Sequence, residues 1–440
     1  MRRRHLIAAL AVLPFVRPVA AQPLDVGSLN LDPGSSADQS AALQDAMLRA
    51  ATERRPLELP AGTFFVQNLQ VPSNLVLRGV PGATTLAAAG AAPIARIAGS
   101  AHVRFEDLGF NSGNGGPEGE GSGLIEIEAS EHVLVGNCTL TGGMGCAIAV
   151  HDATVRIEGC DITGPARAAI YALESRGLHI SGNRIARCGN GGIVIRGGPN
   201  RGGNAIITGN RIVGIGARAG GNGTNGNAIS IARCDDVVVA DNQLLDCAYS
   251  AIRLNETGNV SVTGNLCRNC GEVAIVAEGG FAGAAISDNV IDGAAIGIVI
   301  TGMEQAGHVA TCSGNVVRNI RPTSADSTLQ PVGIHVEAET SVVGNTIYNV
   351  EGIGIRAGRD TFLRHVVIAS NTLDAVHTGI AVSVVEDPAP GPVLISGNLI
   401  GAPLDHAIIG LDGDEIVSDD LIRDAARHPH ISLTGNLITR

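Results

Sequence analysis

The stretch Ile180 to Gly198, ISGNRIARCGNGGIVIRGG, places a Gly-Asn turn between two short apolar runs, His179-Ile180-Ser181 before it and Gly192-Ile193-Val194-Ile195 after it. The same unit returns along the chain. Gly-Asn, Asp-Asn or Ser-Asn, followed by an apolar residue two places after the Asn, recurs at Asn183, Asn210, Asn242, Asn265, Asn289, Asn315, Asn345, Asn371, Asn398 and Asn436, and Cys138 and Cys160 fall in the same register. Most steps are 22 to 32 residues, a period that marks a stacked-repeat architecture. Within each repeat the apolar residues alternate with a period of two over short runs, which is strand periodicity. Three such runs per turn, stacked in parallel on the next turn, predict an all-β fold: a single-stranded right-handed parallel β-helix. About a dozen coils are expected from Phe105 to Leu437, roughly 60 Å at a strand spacing of ~4.8 Å.

The repeated Asn has a mechanical reading. It tolerates the left-handed corner of a tight turn, and identical amides on successive coils can hydrogen-bond along the rod. The nine cysteines behave as small apolar filler: Cys188, Cys247 and Cys270 lie five places after a ladder Asn, and Cys267 lies two after. Cys247 and Cys270, on adjacent coils, are disulfide candidates if their strand positions are suitably angled. Cys267-Arg268-Asn269-Cys270 is a lone C-x-x-C without a second pair or a suitably spaced His, so it predicts no zinc site. No tight Asp/Glu cluster announces calcium, and nothing implies a cofactor.

The chain has 440 residues, 45% of them hydrophobic but only 2% aromatic, with no Trp and no Lys. A solenoid can reach this length as one domain because each repeat contacts only its neighbours. Its formal charge is -12, and the first 21 residues hold four Arg and no acid, leaving -16 on the remainder. Such a surface argues against nucleic acid as a partner, while leaving room for a local arginine cluster that takes a polyanion.

Residues 1–21 read as an export signal, with Arg2-Arg3-Arg4, an apolar run from Leu6 to Val16 and Val19-Ala20-Ala21 before the cut; the run is too short to span a membrane. The Arg3-Arg4 pair looks like a twin-arginine address, with the Sec route as the alternative. Either predicts a periplasmic or extracellular protein with no stable membrane span once the signal is removed. Residues 22–74 form the expected N-terminal cap: an amphipathic helix over about 38–54, N-capped by Ser36 or Asp38, with Leu43, Ala46, Met47 and Ala50 on one face. Pro56 to Phe65 should then give two short strands. Residues 75–440 are the β-helix itself.

The segment 31–80, LDPGSSADQSAALQDAMLRAATERRPLELPAGTFFVQNLQVPSNLVLRGV, resembles the N-terminal cap of the pectate-lyase-like right-handed β-helix superfamily, and the Gly-Asn repeats resemble its epimerase-type coils. More narrowly, the signal, the cap and the runs CAYSAIRLNETGNVSVTGN, GEVAIVAEGGFAGAAISDNVIDGAAIGI and TGIAVSVV are similar to bacterial twin-arginine-translocated repeat proteins of uncharacterised activity. The superfamily resemblance implies a polysaccharide groove on the outer face of one sheet, here the strands following the Asn turn, such as Gly192 to Ile195.

On that face the outward positions supply two polar clusters: Arg253, Asn255 and Glu278, and His335, Glu337 and Arg356. Arg253, Glu278, His335, Glu337 and Arg356 are the catalytic candidates; Arg196, Asn255, Tyr171 and Tyr249 are the substrate-binding candidates. An Arg or His could take the proton beside a uronate carboxylate while a second Arg neutralises the developing charge, giving elimination or C5-epimerisation. Glu278 and Glu337, with one coil between them, are the pair for glycoside hydrolysis. The alternative is a solvated face with cross-strand ion pairs such as Arg253 to Glu278.

Several absences weigh against catalysis. Asp387-Pro388 is followed by Ala389 rather than His, Asn371-Thr372-Leu373-Asp374 only echoes a polygalacturonase motif, and aromatic platforms are scarce. Two readings therefore stand: a rigid envelope rod binding a glycan or an envelope protein, or a polysaccharide-active lyase, epimerase or hydrolase. For the first, the loops Asn111 to Gly123, Pro199 to Asn227 and Arg321 to Pro331 are the expected contact regions.

Overall fold

The computed structural model describes residues 22–24, 31–113, 115–198, 203–220, 223, 225–323, 325, 328–386 and 390–439. The expected export signal (1–21), parts of the three expected contact loops and the Asp387-Pro388-Ala389 triplet lie outside these residues.

The chain winds as a right-handed parallel β-helix of about 13 turns. Around Asn183 each coil shows its three sides: His179–Ser181 on what we call the leading face, Arg184–Ala186 on the ladder face and Gly191–Arg196 on the groove face. Fifteen strands of the leading face form one sheet, and the other two faces join in a second sheet. Period-two alternation places Ile180, Ile185, Ile193 and Ile195 inward, each stacked in register on the neighbouring coils, as Ile193 is on Ile170 and Ile229. All four are at most 1% exposed, and burying each contributes about 1.5–3 kcal/mol before entropy is counted.

The asparagine ladder is continuous. From Asn183 to Asn398 each Nδ2 donates to the Oδ1 of the next ladder Asn at 2.8–3.0 Å. That Oδ1 also accepts a backbone N–H, as Asn210 does from Asn183 at 3.0 Å. The left-handed residue of the corner is not the Asn, as expected from sequence, but the residue before it: Gly182 (φ 64°), Asp241 (φ 56°), Asp288 (φ 56°) and Ser370 (φ 56°) are examples. The division is physical, because the buried Asn must aim its amide along the rod while the strained corner falls on the residue before it. At the start of the ladder, Cys160 donates its backbone N–H to the Asn183 amide oxygen at 2.9 Å.

All nine cysteines are buried thiols. Cys247 and Cys270 are register partners, yet the pair is reduced; hydrogen bonding to Cys270, together with burial, holds the Cys247 pKa well above its ordinary value.

The cap helix α1 spans Ser40–Glu53 and buries Leu43, Ala46, Met47 and Ala50 on the first coils. Its N-cap residue is Gln39, with no side-chain cap. Asp38, expected as a cap along with Ser36, instead accepts from the Ser40 N–H at 2.8 Å and from the Ser40 hydroxyl, bracing the first turn from one place upstream. At the other end the period breaks. There His406–Asp412 turns back antiparallel into Glu415–Ser418, and a short helix, Leu421–Asp424, is capped by Asp420. No helix among the described residues is long and apolar enough to cross a membrane.

Candidate functional site

Register on the groove face stacks Ser230, Arg253 and Val276, then Val299, His335 and Arg356, in one outward row. A parallel row carries Asn255 beside Glu278, and the pairing of Ala277 with Ile300 and of Ile300 with Val336 sets Thr301 and Glu337 next in line. The apolar members of these rows are covered, not open: Val194 is 5% exposed, Val276 4% and Val299 9%. Val194 of the quoted repeat packs with Cys146, Ala168 and Tyr171. Being outward on a strand is therefore not the same as facing solvent.

Where polar residues occupy the rows a groove of about 710 Å³ opens, lined by Arg253, Asn255, Glu278, Thr301, Glu337 and Arg359 among others. Glu278 Oε1 accepts from Arg253 Nε at 2.7 Å and from Asn255 Nδ2 at 3.2 Å, with Arg253 Nη2 2.6 Å away. Glu337 has a different environment. It is 9% exposed, and its Oε2 accepts the backbone N–H groups of Gly302 (2.7 Å) and Met303 (2.9 Å). Burial raises its pKa above the ordinary carboxylate value against the lowering effect of those two bonds.

The expected His335, Glu337 and Arg356 cluster is divided. Arg356, 5% exposed, donates from Nη1 to Asp414 Oδ1 at 2.9 Å and from Nη2 to the Gly413 carbonyl at 2.8 Å, so the C-terminal hairpin consumes its guanidinium. His335 lies beside it in register, and its shielded Nε2 has no hydrogen-bond partner among the described residues. Burial, reinforced by the positive charges of Arg356 and Arg359, lowers its pKa to about 3. Neither His335 nor Arg356 lines the groove.

The aromatic and N-terminal candidates sit elsewhere. Tyr171 borders a separate narrow cleft with Glu120, Arg167 and Asn190. Arg196 lies between Leu173 and Ala232 in register. Tyr249 is packed so closely on Gly226 that a Cβ there would stand 2.3 Å from its ring. Sequence reading missed Glu304, Arg359, Asp360 and Phe362, which line the groove from the turns after the strands. The available signal was the run of polar residues directly after a groove-face strand, as in Gly358-Arg359-Asp360-Thr361.

A family model described as a right-handed beta helix region matches residues 122–337. That description agrees with the right-handed parallel β-helix of the structure. Among solved structures, the chain is similar to a PL6 alginate lyase in complex with a trisaccharide (TM-score 0.52, 11% identity, 96% of each chain covered). It is also similar to the family 28 exopolygalacturonase of Yersinia enterocolitica (TM-score 0.48, 11% identity, 95% of this chain and 78% of the other). A third likeness is to PfbA, a surface adhesin of Streptococcus pneumoniae (TM-score 0.47, 13% identity, 91% and 95%). At these identities the likeness concerns the fold. No curated protein sequence matches the chain.

Proposed function

We propose that the chain is an exported β-helix rod that holds a glycan strand in the groove between Glu278 and Glu337. The observation that most supports this is the convergence of Asn255, Glu278, Thr301 and Glu337, from successive coils, with Phe362 on one concave surface. Convergent polar groups beside an aromatic ring are what sugar recognition uses. Export by the twin-arginine route, a periplasmic or extracellular location and kinship with twin-arginine-translocated repeat proteins belong to the same proposal and rest on the sequence motifs. A glycan array followed by calorimetry tests it: Asn255→Ala with Phe362→Ala should weaken binding of the best ligand about tenfold, which is ~1.4 kcal/mol. Unchanged affinity in the double variant would remove the groove from the reading.

A second reading is favoured by the unlike environments of the two carboxylates. Glu337, its pKa raised, has the character of a general acid, and Glu278, set against a guanidinium, that of a base. Two strand steps put their backbones about 10 Å apart, compatible with the water-sized gap of inverting glycoside hydrolysis. Elimination and epimerisation draw less support, because Arg253 is bonded to Glu278 and Arg356 to Asp414. Hydrolysis should fall at least about a hundredfold in both Glu278→Gln and Glu337→Gln. Equal turnover in both variants would leave binding alone.

A further inference from the structure

The leading face carries a second depression, of about 880 Å³, beside the C-terminal end of α1. Its ionisable lining is Arg54, Arg55, Arg104, Arg156, His102, His132 and His179, with no Asp or Glu among the described residues that border it. In a chain with 42 acids and 30 Arg this is a local reversal of charge. Arg55 is tied to Glu53 and Arg104 is shared with Glu106 at 2.7 Å, but Arg54 and Arg156 have no ion pair among the described residues.

The arrangement follows from the coil register. Arg104, Leu134, Arg156 and His179 succeed one another on adjacent strands, so the two arginines are about 10 Å apart along the rod with an apolar side chain between them. His102 and His132, both left-handed (φ 59° and 56°), stack their rings at 4.9 Å and 6° alongside this row. Arg54, at the helix C-cap, closes the near side.

We infer that this depression is a binding site for an acidic polysaccharide lying along the rod, separate from the groove of the proposed function. Arginines in line two coils apart meet carboxylates along one edge of the polymer, while Leu134 and the flat imidazoles meet the apolar faces of the sugar rings. A charged bilayer is matched instead by protruding apolar side chains within a dense basic patch. Single-stranded nucleic acid requires aromatic platforms along a basic track. Among the described lining residues there is no Phe, Tyr or Trp, and the apolar ones, Val76, Val133, Leu134 and Val155, are buried or half-buried and do not protrude.

Affinity electrophoresis and calorimetry of the full-length protein with polygalacturonate test the inference, with dextran, phosphatidylserine vesicles and single-stranded DNA as comparison probes. The wild type should bind polygalacturonate with an affinity that falls as salt rises, and should not bind dextran at this site. Arg54→Ala with Arg156→Ala, both exposed positions, should weaken that binding at least about tenfold. Glu278→Gln with Glu337→Gln should leave it unchanged, so failure here and failure of the groove reading are distinguishable. No binding by the wild type, or equal binding by the arginine variant, would overturn the site. Tighter binding to the vesicles or the DNA than to polygalacturonate would overturn the ligand class.

Discussion

His335 shows how a titratable side chain on a supposedly open face becomes a structural one. Its ring lies beside a guanidinium, under a hairpin supplied by residues 406–418, with Nε2 cut off from water. The folded-state pKa of about 3 lies below the ordinary value of 6.5, so the unfolded chain binds the extra proton between those limits. Its contribution is therefore fully present above pH 6.5 and is lost as pH falls toward 3. Urea midpoints at pH 7 and pH 4 should show a smaller acid-dependent loss for His335→Leu than for the wild type. An identical loss in both would mean that the imidazole is solvated in the fold.

The unit of construction at the next scale is the single coil, and its keystone is the ladder amide. Asn289→Ala removes bonds to the Val262 carbonyl and to Asn315 Oδ1, and removes the acceptor used by the Asn265 backbone and side chain. Unsatisfied buried groups make the expected loss on the order of 3 kcal/mol, read by chemical unfolding. Asn289→Cys should lose less, because Cys138 and Cys160 occupy equivalent positions and their thiols reach backbone carbonyls at 3.2 Å (Gly136) and 3.4 Å (Val135).

This much was legible in sequence, since a coil is a local object: its turn, its two-residue alternation and its inward Ile lie within thirty residues of one another. The Arg253, Asn255 and Glu278 cluster was legible for the same reason, its members being one coil apart. The fate of Arg356 was not, because Asp414 is 58 residues away in a hairpin that leaves the repeat. Nor was the basic depression, whose ionisable groups come from four successive leading-face strands and a helix end, with no motif in any one of them.

For the whole molecule, parallel stacking makes stability a sum of nearest-neighbour terms, with α1 sealing one end of the core. The two depressions lie on different faces, one acidic in its lining and one basic, so one rod can engage two chemically unlike partners without moving. Deleting residues 265–288 removes one coil and sets Asn289 where Asn265 stood, opposite Asn242. The shortened protein should fold cooperatively, by circular dichroism and thermal unfolding, and keep polygalacturonate binding while losing Glu278 and its groove. A molten product would show that coils are not interchangeable.

The side-chain amides of the ladder all point one way, each NH₂ toward the C-terminal neighbour's oxygen from Asn183 to Asn436. The rod thus contains a vectorial wire of aligned amide dipoles running through its flank, each bond polarising the next. A coil spliced in backwards would present donor to donor, so the wire enforces polarity. Tandem duplication adds a link without creating a new kind of joint, which leaves overall length open to change while the direction of winding stays fixed.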